Sequence, residues 1–257
     1  MHSLVFELQE YLEVLEANPT ESIHAMRKRT KFIRALLRLD PDSPETLDGQ
    51  LKTFSRKIAP YRDAVVDLQT YDHVVELYPH LHDDRIKATI LGNPYLDPQK
   101  FSPGDYAELT ELAMDIQKQM DSAILNPSDQ LIYLRTYKTH KSGKKGFKRV
   151  KKNTDSEIVH TWRKRTKRLW YQLRFQFGDA PEDMNHPVNL CDTLGSSLGE
   201  IHDLDNLMNL FPLENHTRFR EIINDHRHEL LREAIGHGEG LYFQWDAEIF
   251  PAQSNPK

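Results

Sequence analysis

SIHAMRKRTKFIRALLRL, from Ser22 to Leu39, decides the fold reading, because this basic stretch returns later as VHTWRKRTKRLWYQLRFQF, from Val159 to Phe177. Setting His24 on His160, an offset of 136 residues, superposes Arg27 on Arg163, Lys28 on Lys164, Arg29 on Arg165, Thr30 on Thr166 and Lys31 on Lys167. Such self-similarity is the signature of an internal repeat. At 100° per residue, His24, Arg27, Lys28, Lys31, Arg34 and Arg38 fall in one wedge of roughly 120°. Ala25, Met26, Ile33, Leu36 and Leu37 take the other side. In the second copy His160, Arg163, Lys164, Lys167, Trp170, Tyr171 and Arg174 share the cationic side, and Ile158, Trp162, Leu169, Leu173 and Phe177 the apolar one. Each copy therefore reads as an amphipathic helix. Arg29 and Arg165 fall on the apolar side, where each needs a polar partner.

Outward from these two helices no alternating strand pattern competes, and the chain reads as all-α. Residues 3 to 17 form a first helix, stopped by Asn18-Pro19. The first basic helix ends before Asp40-Pro41, and Ser43-Pro44 opens a long helix to about Tyr78, bent or locally broken at Pro60. A short helix near residues 84 to 91, a Pro- and Gly-rich loop, and a helix over about 105 to 125 follow. Asn126-Pro127 marks the boundary between two repeats, residues 1–126 and 127–257. From Ser128 the chain starts as helix and runs into RTYKTHKSGKKGFKRVKK, where Gly143 and Gly146 weaken the helix and part reads as a mobile arm. The second basic helix spans about Ser156 to Gly178. Pro187 opens another long helix, and a last one covers about Glu214 to Ile235, resuming from Gly240 to Phe250. Two pseudo-symmetric helical bundles around a central basic groove are the expected architecture.

The net charge of −5 hides its distribution. Residues 24–38 and 135–174 hold 21 of the 34 Lys and Arg against two acids, Asp155 and Glu157. The remaining 202 positions carry 13 basic and 37 acidic residues, a net of −24. Separated blocks of this kind favour an anion that fits the cationic region over indiscriminate polyanion binding. Mean hydropathy is −0.67, and no run of 18 apolar residues predicts a membrane span. The first residues, MHSLVFELQEYLEVLEANP, lack a basic n-region and do not read as a secretory signal. The single cysteine, Cys191, excludes an internal disulfide framework, fits a reducing compartment and reads as a small buried hydrophobe.

A row of Lys and Arg on one helix side repels itself unless carboxylates or a bound anion neutralise it. From His24 to Arg38 the row spans about 21 Å, which suits an extended polyanion better than one phosphate. Arg offers a planar fork to phosphate oxygens and Lys a flexible point charge, so the mixture fits a repeating phosphate chain without base recognition. The expected contacts are His24, Arg27, Lys28, Lys31, Arg34 and Arg38 from the first copy, and His160, Arg163, Lys164, Lys167, Arg168, Tyr171 and Arg174 from the second. Arg135 and Lys138, ahead of the second copy, complete the set. RNA or DNA, held in the same groove or by the arm, is the competing reading. No phosphate-binding loop, HExxH, GxSxG or GxGxxG motif is present. His80, His82 and Asp84 only partly match a two-metal motif, with Arg85 where a further His belongs. His202-Asp203, on a helix with Asp205 near, leaves a metal-dependent phosphohydrolase as a third reading. Arg227 and His228 read as a solvated face. Neither cofactor nor catalytic residue is expected.

These residues resemble the conserved histidine α-helical domain, CHAD. Its pattern is a His followed three, seven and ten residues later by basic positions, here His24, Arg27, Lys31 and Arg34. The second copy is similar to the variety HEWRKRVKDLWYHLR. The family segment LSPLRDAAVLL resembles Ile58 to Leu68, and LGDDHDLAVL resembles Leu198 to Leu207, giving Asp63 and Asp203 equivalent places. The tail LREAIGHGEGLYF, Leu230 to Phe243, also matches. The resemblance implies two basic helices facing one another across a groove that binds inorganic polyphosphate, in a cytoplasmic protein at polyphosphate granules and without catalysis. An older proposal gives the family's histidines a metal. Trp170 stands where the family has a basic residue, and no attached triphosphatase domain is visible. Asp63 and Asp203 are expected to hold basic side chains in register.

Overall fold

The structure is a computed structural model that describes residues 8, 10–15, 17–97, 102–123, 127–178, 183, 186–211 and 216–244. Among these residues every regular element is helical. The chain divides into two compact units, Met1–Pro127 and Ser128–Lys257.

The first unit contains α1 (Pro19–Leu37), α2 (Glu45–Lys57), α3 (Ala59–Leu77), α4 (Asp84–Leu91) and α5 (Pro103–Ser122). Short 3₁₀ turns, Pro79–Leu81 and Pro94–Leu96, flank α4. The helix expected from 43 to 78, bent or locally broken at Pro60, is broken into two helices that meet at Ile58. Pro60 falls in the first turn of the second one, where its missing N–H removes no helical bond. Ile23, Met26, Ile33 and Leu37 of α1 pack with Leu47, Leu51 and Phe54 of α2 and with Leu109, Ala113, Ile116 and Met120 of α5. Leu8, Leu12 and Leu15 join them.

The second unit contains α6 (Asp129–Val150), α7 (Ser156–Phe177), α8 (Pro187–Leu210) and α9 (Thr217–Glu239), continued by a π turn, Gly240–Gln244. Consecutive helices pack on one another. The arm expected around residues 139–152 is instead the second half of α6, an unbroken helix. Its two glycines are there for space. A Cβ on Gly143 would lie 2.5 Å from the Tyr242 hydroxyl, and one on Gly146 would lie 3.2 Å from the Trp162 ring. The same crowding recurs at Gly238, whose Cβ would come within 2.8 Å of Phe147 and 2.9 Å of Trp162. Trp162 and Tyr242 are fully buried, and the indole N–H donates to the Tyr242 hydroxyl at 3.4 Å. Gly178, at φ +81°, ends α7 as its position predicted. The start read at Glu214 and the stretch from 245 to 250 lie outside the described residues.

Two side-chain expectations change. Phe177, read as core, is 50% exposed and meets the His186 ring edge-on at 5.4 Å. Arg227, read as solvated, is 5% exposed, while its neighbour His228 is exposed as expected. The Arg227 Nε donates to Asp205 at 2.6 Å, its Nη2 donates to the Thr154 carbonyl at 3.1 Å, and the Ser156 hydroxyl donates to the other Asp205 oxygen at 2.6 Å. One buried ion pair thus ties α9 to α8 and to the entry of α7. No helix among the described residues is long and apolar enough to cross a membrane.

Removing one partner strands the other charge in a dry site. Asp205→Ala is expected to lower unfolding free energy by about 3–5 kcal/mol in urea titration. Gly238→Ala, which overfills the contact with Phe147 and Trp162, should cost about 1–3 kcal/mol in the same measurement.

Candidate anion-binding site

In the first unit, burial of Ile23, Met26, Ile33 and Leu37 sets the rotation of α1. His24, Lys28, Lys31 and Arg38 therefore emerge exposed, with Arg27 and Arg34 half-buried at the margin. Carboxylates of the neighbouring helices hold three of them. Arg34 makes a two-pronged pair with Asp48 of α2, Nε at 2.8 Å and Nη2 at 3.2 Å, and Arg38 reaches the same carboxylate at 3.6 Å. Arg27 lies 3.6 Å from Asp63 of α3 and donates to the Ser55 carbonyl at 3.5 Å. Arg62 also approaches Asp63, at 3.9 Å. Asp63 thus stands between a ladder arginine and a second cation, as expected of a residue that sets register. Lys28 and Lys31 project beyond this frame.

The His24 pKa lies below its usual 6.5. Desolvation of the partly covered ring is the largest cause, followed by the charges of Lys28, Arg62, Lys31 and Arg27. Arg62 was not among the expected contacts, although IAPYRDAVV already displayed it beside Asp63. His24 and Arg62 line a half-open pocket of about 380 Å³ together with Ile23, Tyr61, Val65, Val66 and Tyr95.

In the second unit α7 and α8 run antiparallel in a fixed register. The rings of His160 and His202 lie 4.3 Å apart at 36°. One turn along, Arg163 passes over Gly199, its guanidinium 3.8 Å from where a Cβ would stand. A further turn along, Lys167 lies across Gly195, where a Cβ would come within 2.9 Å of its side chain. The Lys167 ammonium then reaches Asp192 at 3.6 Å. Two glycines four residues apart form a trough for two long cationic side chains four residues apart. A Cβ at 195 would displace the Lys167 side chain, whereas one at 199 would only touch the Arg163 guanidinium at ordinary contact distance. Desolvation is the largest effect on Lys167 and lowers its pKa; Asp192 opposes the shift and Arg163 adds to it.

Trp170, at the place of the family's basic residue, carries cations on its ring. The Lys167 Nζ lies 4.6 Å and the Arg174 Cζ 4.7 Å from its centroid. Tyr171, expected beside the cations, is buried at 7% exposure, with its ring 4.8 Å from that of Trp170. Lys164 is exposed, and Arg168 and Arg174 are half-buried. On α6, Arg135 is half-buried and Lys138 is exposed. Arg165 finds its partner as required, donating to the Ser142 carbonyl of α6 at 3.0 Å. The repeated threonines are packing residues. Thr30 accepts from Ser55 at 2.9 Å, and Thr166 lies 3.3 Å from the Tyr242 hydroxyl, both fully buried.

Other candidates stay apart from this arrangement. His82 contacts Asp84 at 3.1 Å on an exposed turn. Among the described residues no three His, Cys, Asp or Glu side chains are grouped to hold a metal ion, and His202 instead faces His160. Cys191 is fully buried, and burial pushes its thiol pKa up, away from the reactive thiolate.

The sequence model of the CHAD domain matches residues 3–211. No curated protein and no solved structure matches the chain. The match takes in α1, α3, α7 and α8, the helices that carry and seat the basic residues. On that extent, and with the repeated His-x₂-Arg-Lys pattern in place on α1 and α7, the chain belongs to the CHAD domain family.

Proposed function

We propose that this protein binds inorganic polyphosphate, without chemical turnover, through the cationic sides of α1 and α7. The observation that carries this reading is the repetition of one cationic pattern on two helices, each rotated by its own core so that the cations lie outside. Seating strengthens it. Arg27, Arg34, Arg163 and Lys167 are held against neighbouring helices, so binding an anion orders few additional rotamers. Lys28, Lys31 and Lys164 remain exposed and add flexible charges to the anchored ones. Asp48, Asp63 and Asp192 partly neutralise the rows, which favours a ligand with several phosphates over one weakly charged oxyanion. Polyphosphate granules in the cytoplasm supply such a ligand, and this is the location the reading assigns.

Affinity measured by calorimetry should rise with phosphate chain length and fall with salt, since counterions are released from both partners. Length-independent or salt-insensitive affinity would overturn the proposal. Arg163→Ala should weaken long-chain binding about tenfold, the loss of a partly screened charge-assisted contact. Incubation with polyphosphate and divalent metal should release no orthophosphate.

The His24 shift gives a pH dependence. A bound polyanion favours the protonated ring, so binding takes up protons and affinity should rise as pH falls from about 8 to about 6. His24→Gln should flatten that slope. In the free protein the sign reverses. An unfolded His24 titrates near 6.5 and takes a proton before the folded one, so stability falls as pH drops through 6.5 toward the lower folded value.

A further inference from the structure

The cations of α6 form a second pattern. Lysines at 138, 141, 145 and 148 recur in steps of three and four, which keeps them on one side of the helix over about 15 Å, and Lys152 follows in the turn just past its end. All five are exposed, and Arg149 beside them is exposed too. The opposite side, His140, Gly143, Phe147 and Val150, is buried. From Arg135 to Lys152 the sequence holds nine Lys and Arg and no acid. Among the described residues no carboxylate lies within 4.0 Å of any of the five ridge ammonium groups. The ion pair of Lys151 with Glu239, at 2.7 Å, lies off the ridge. Like charges a turn apart destabilise a helix, yet a chain with 39 acidic residues places none here.

We infer that this ridge docks the sugar–phosphate backbone of double-stranded nucleic acid, without regard to sequence and separately from the cations of α7. The two sets are on different sides of the unit's packing. Thr136, Ser142, Gly146 and Phe147 of α6 meet α7, and none of them is on the ridge. The ridge is a row of exposed point charges. A flexible phosphate chain would have to be straightened to lie along it. A duplex, stiff over about 150 base pairs, presents its phosphates already ordered. The ridge carries neither Asn nor Gln, the side chains that read adenine, and its lysines act on the backbone as flexible point charges. Stacking of unpaired bases is not provided for. Lys141 covers the Tyr137 ring at 5.2 Å and Lys144 the Phe243 ring at 4.6 Å. The ridge also has no apolar side chain to enter a lipid surface.

The test is anisotropy of a fluorescent 24-base-pair duplex of mixed sequence, with full-length protein. Wild type should bind with a dissociation constant on the order of 1–100 μM, and log affinity should fall against log salt with a slope of about −4. K141Q/K145Q/K148Q/K152Q should lose at least tenfold in duplex affinity while long-chain polyphosphate affinity stays within twofold. Gln matches Lys in helix propensity, so the fold should persist by circular dichroism. The milder K145Q/K148Q should lose an intermediate amount, which keeps the test informative if the fourfold variant does not fold. The duplex arm contains no polyphosphate, so failure of the polyphosphate reading leaves it intact. Undiminished duplex binding by both variants would overturn the inference. So would stoichiometric displacement of duplex by polyphosphate, or tighter binding to single strands or phosphatidylserine vesicles than to duplex.

Discussion

Rotation of the basic helices about their own axes is the constraint on which the rest depends. A helix that must bury Met26, Ile33 and Leu37 has no freedom in where it puts Arg27, Lys28 and Lys31. In the other unit the burial of Trp162, Leu169 and Leu173 does the same for Arg163, Lys164 and Lys167. Hydrophobic burial, which has no direction of its own, becomes directional once it is written at helical period. The core thereby determines where the charges stand.

Packing then decides how firmly each charge is held. Small residues do this in the second unit. Gly195 lets Lys167 lie flat on α8, while Gly143, Gly146 and Gly238 let Tyr242, Trp162 and Phe147 close the core beneath. Carboxylates do it in the first, where Asp48 and Asp63 fix Arg34, Arg38 and Arg27. The buried pair of Arg227 and Asp205 secures the entry of α7 through Ser156 and the Thr154 carbonyl. A single charge pair there serves both stability and the placement of the basic helix.

The charge distribution follows a similar logic. A chain of net charge −5 keeps its surface mostly acidic and concentrates its cations on three helices. On α1 and α7 those cations are mixed with histidine, aromatic rings and carboxylate partners. On α6 the cations of the outer ridge are exposed lysines. The two kinds of surface differ in geometry as well as charge, one seated against neighbouring helices and one projecting, and they suit polyanions of different stiffness.

Much of this was legible in residue order. The period of the apolar positions fixed the helical class, the sides of α1 and α7 and the identity of the two cationic rows, because local periodicity needs no knowledge of neighbours. The demand of Arg165 for a polar partner was legible too. What residue order left undecided were matters of contact between distant segments. Gly143 and Gly146 look like helix breakers until Tyr242 and Trp162 occupy the space a Cβ would take. Arg227 looks solvated until Asp205 closes on it. Tyr171 and Phe177 exchange the environments their phases suggested, one buried and one exposed, because near the end of α7 burial is set by what packs around the helix and not by its own period. Sequence alone determined which residues lie on which side of each helix. Only tertiary structure decided which of those sides meet another helix, since burial depends on segments far away in the chain.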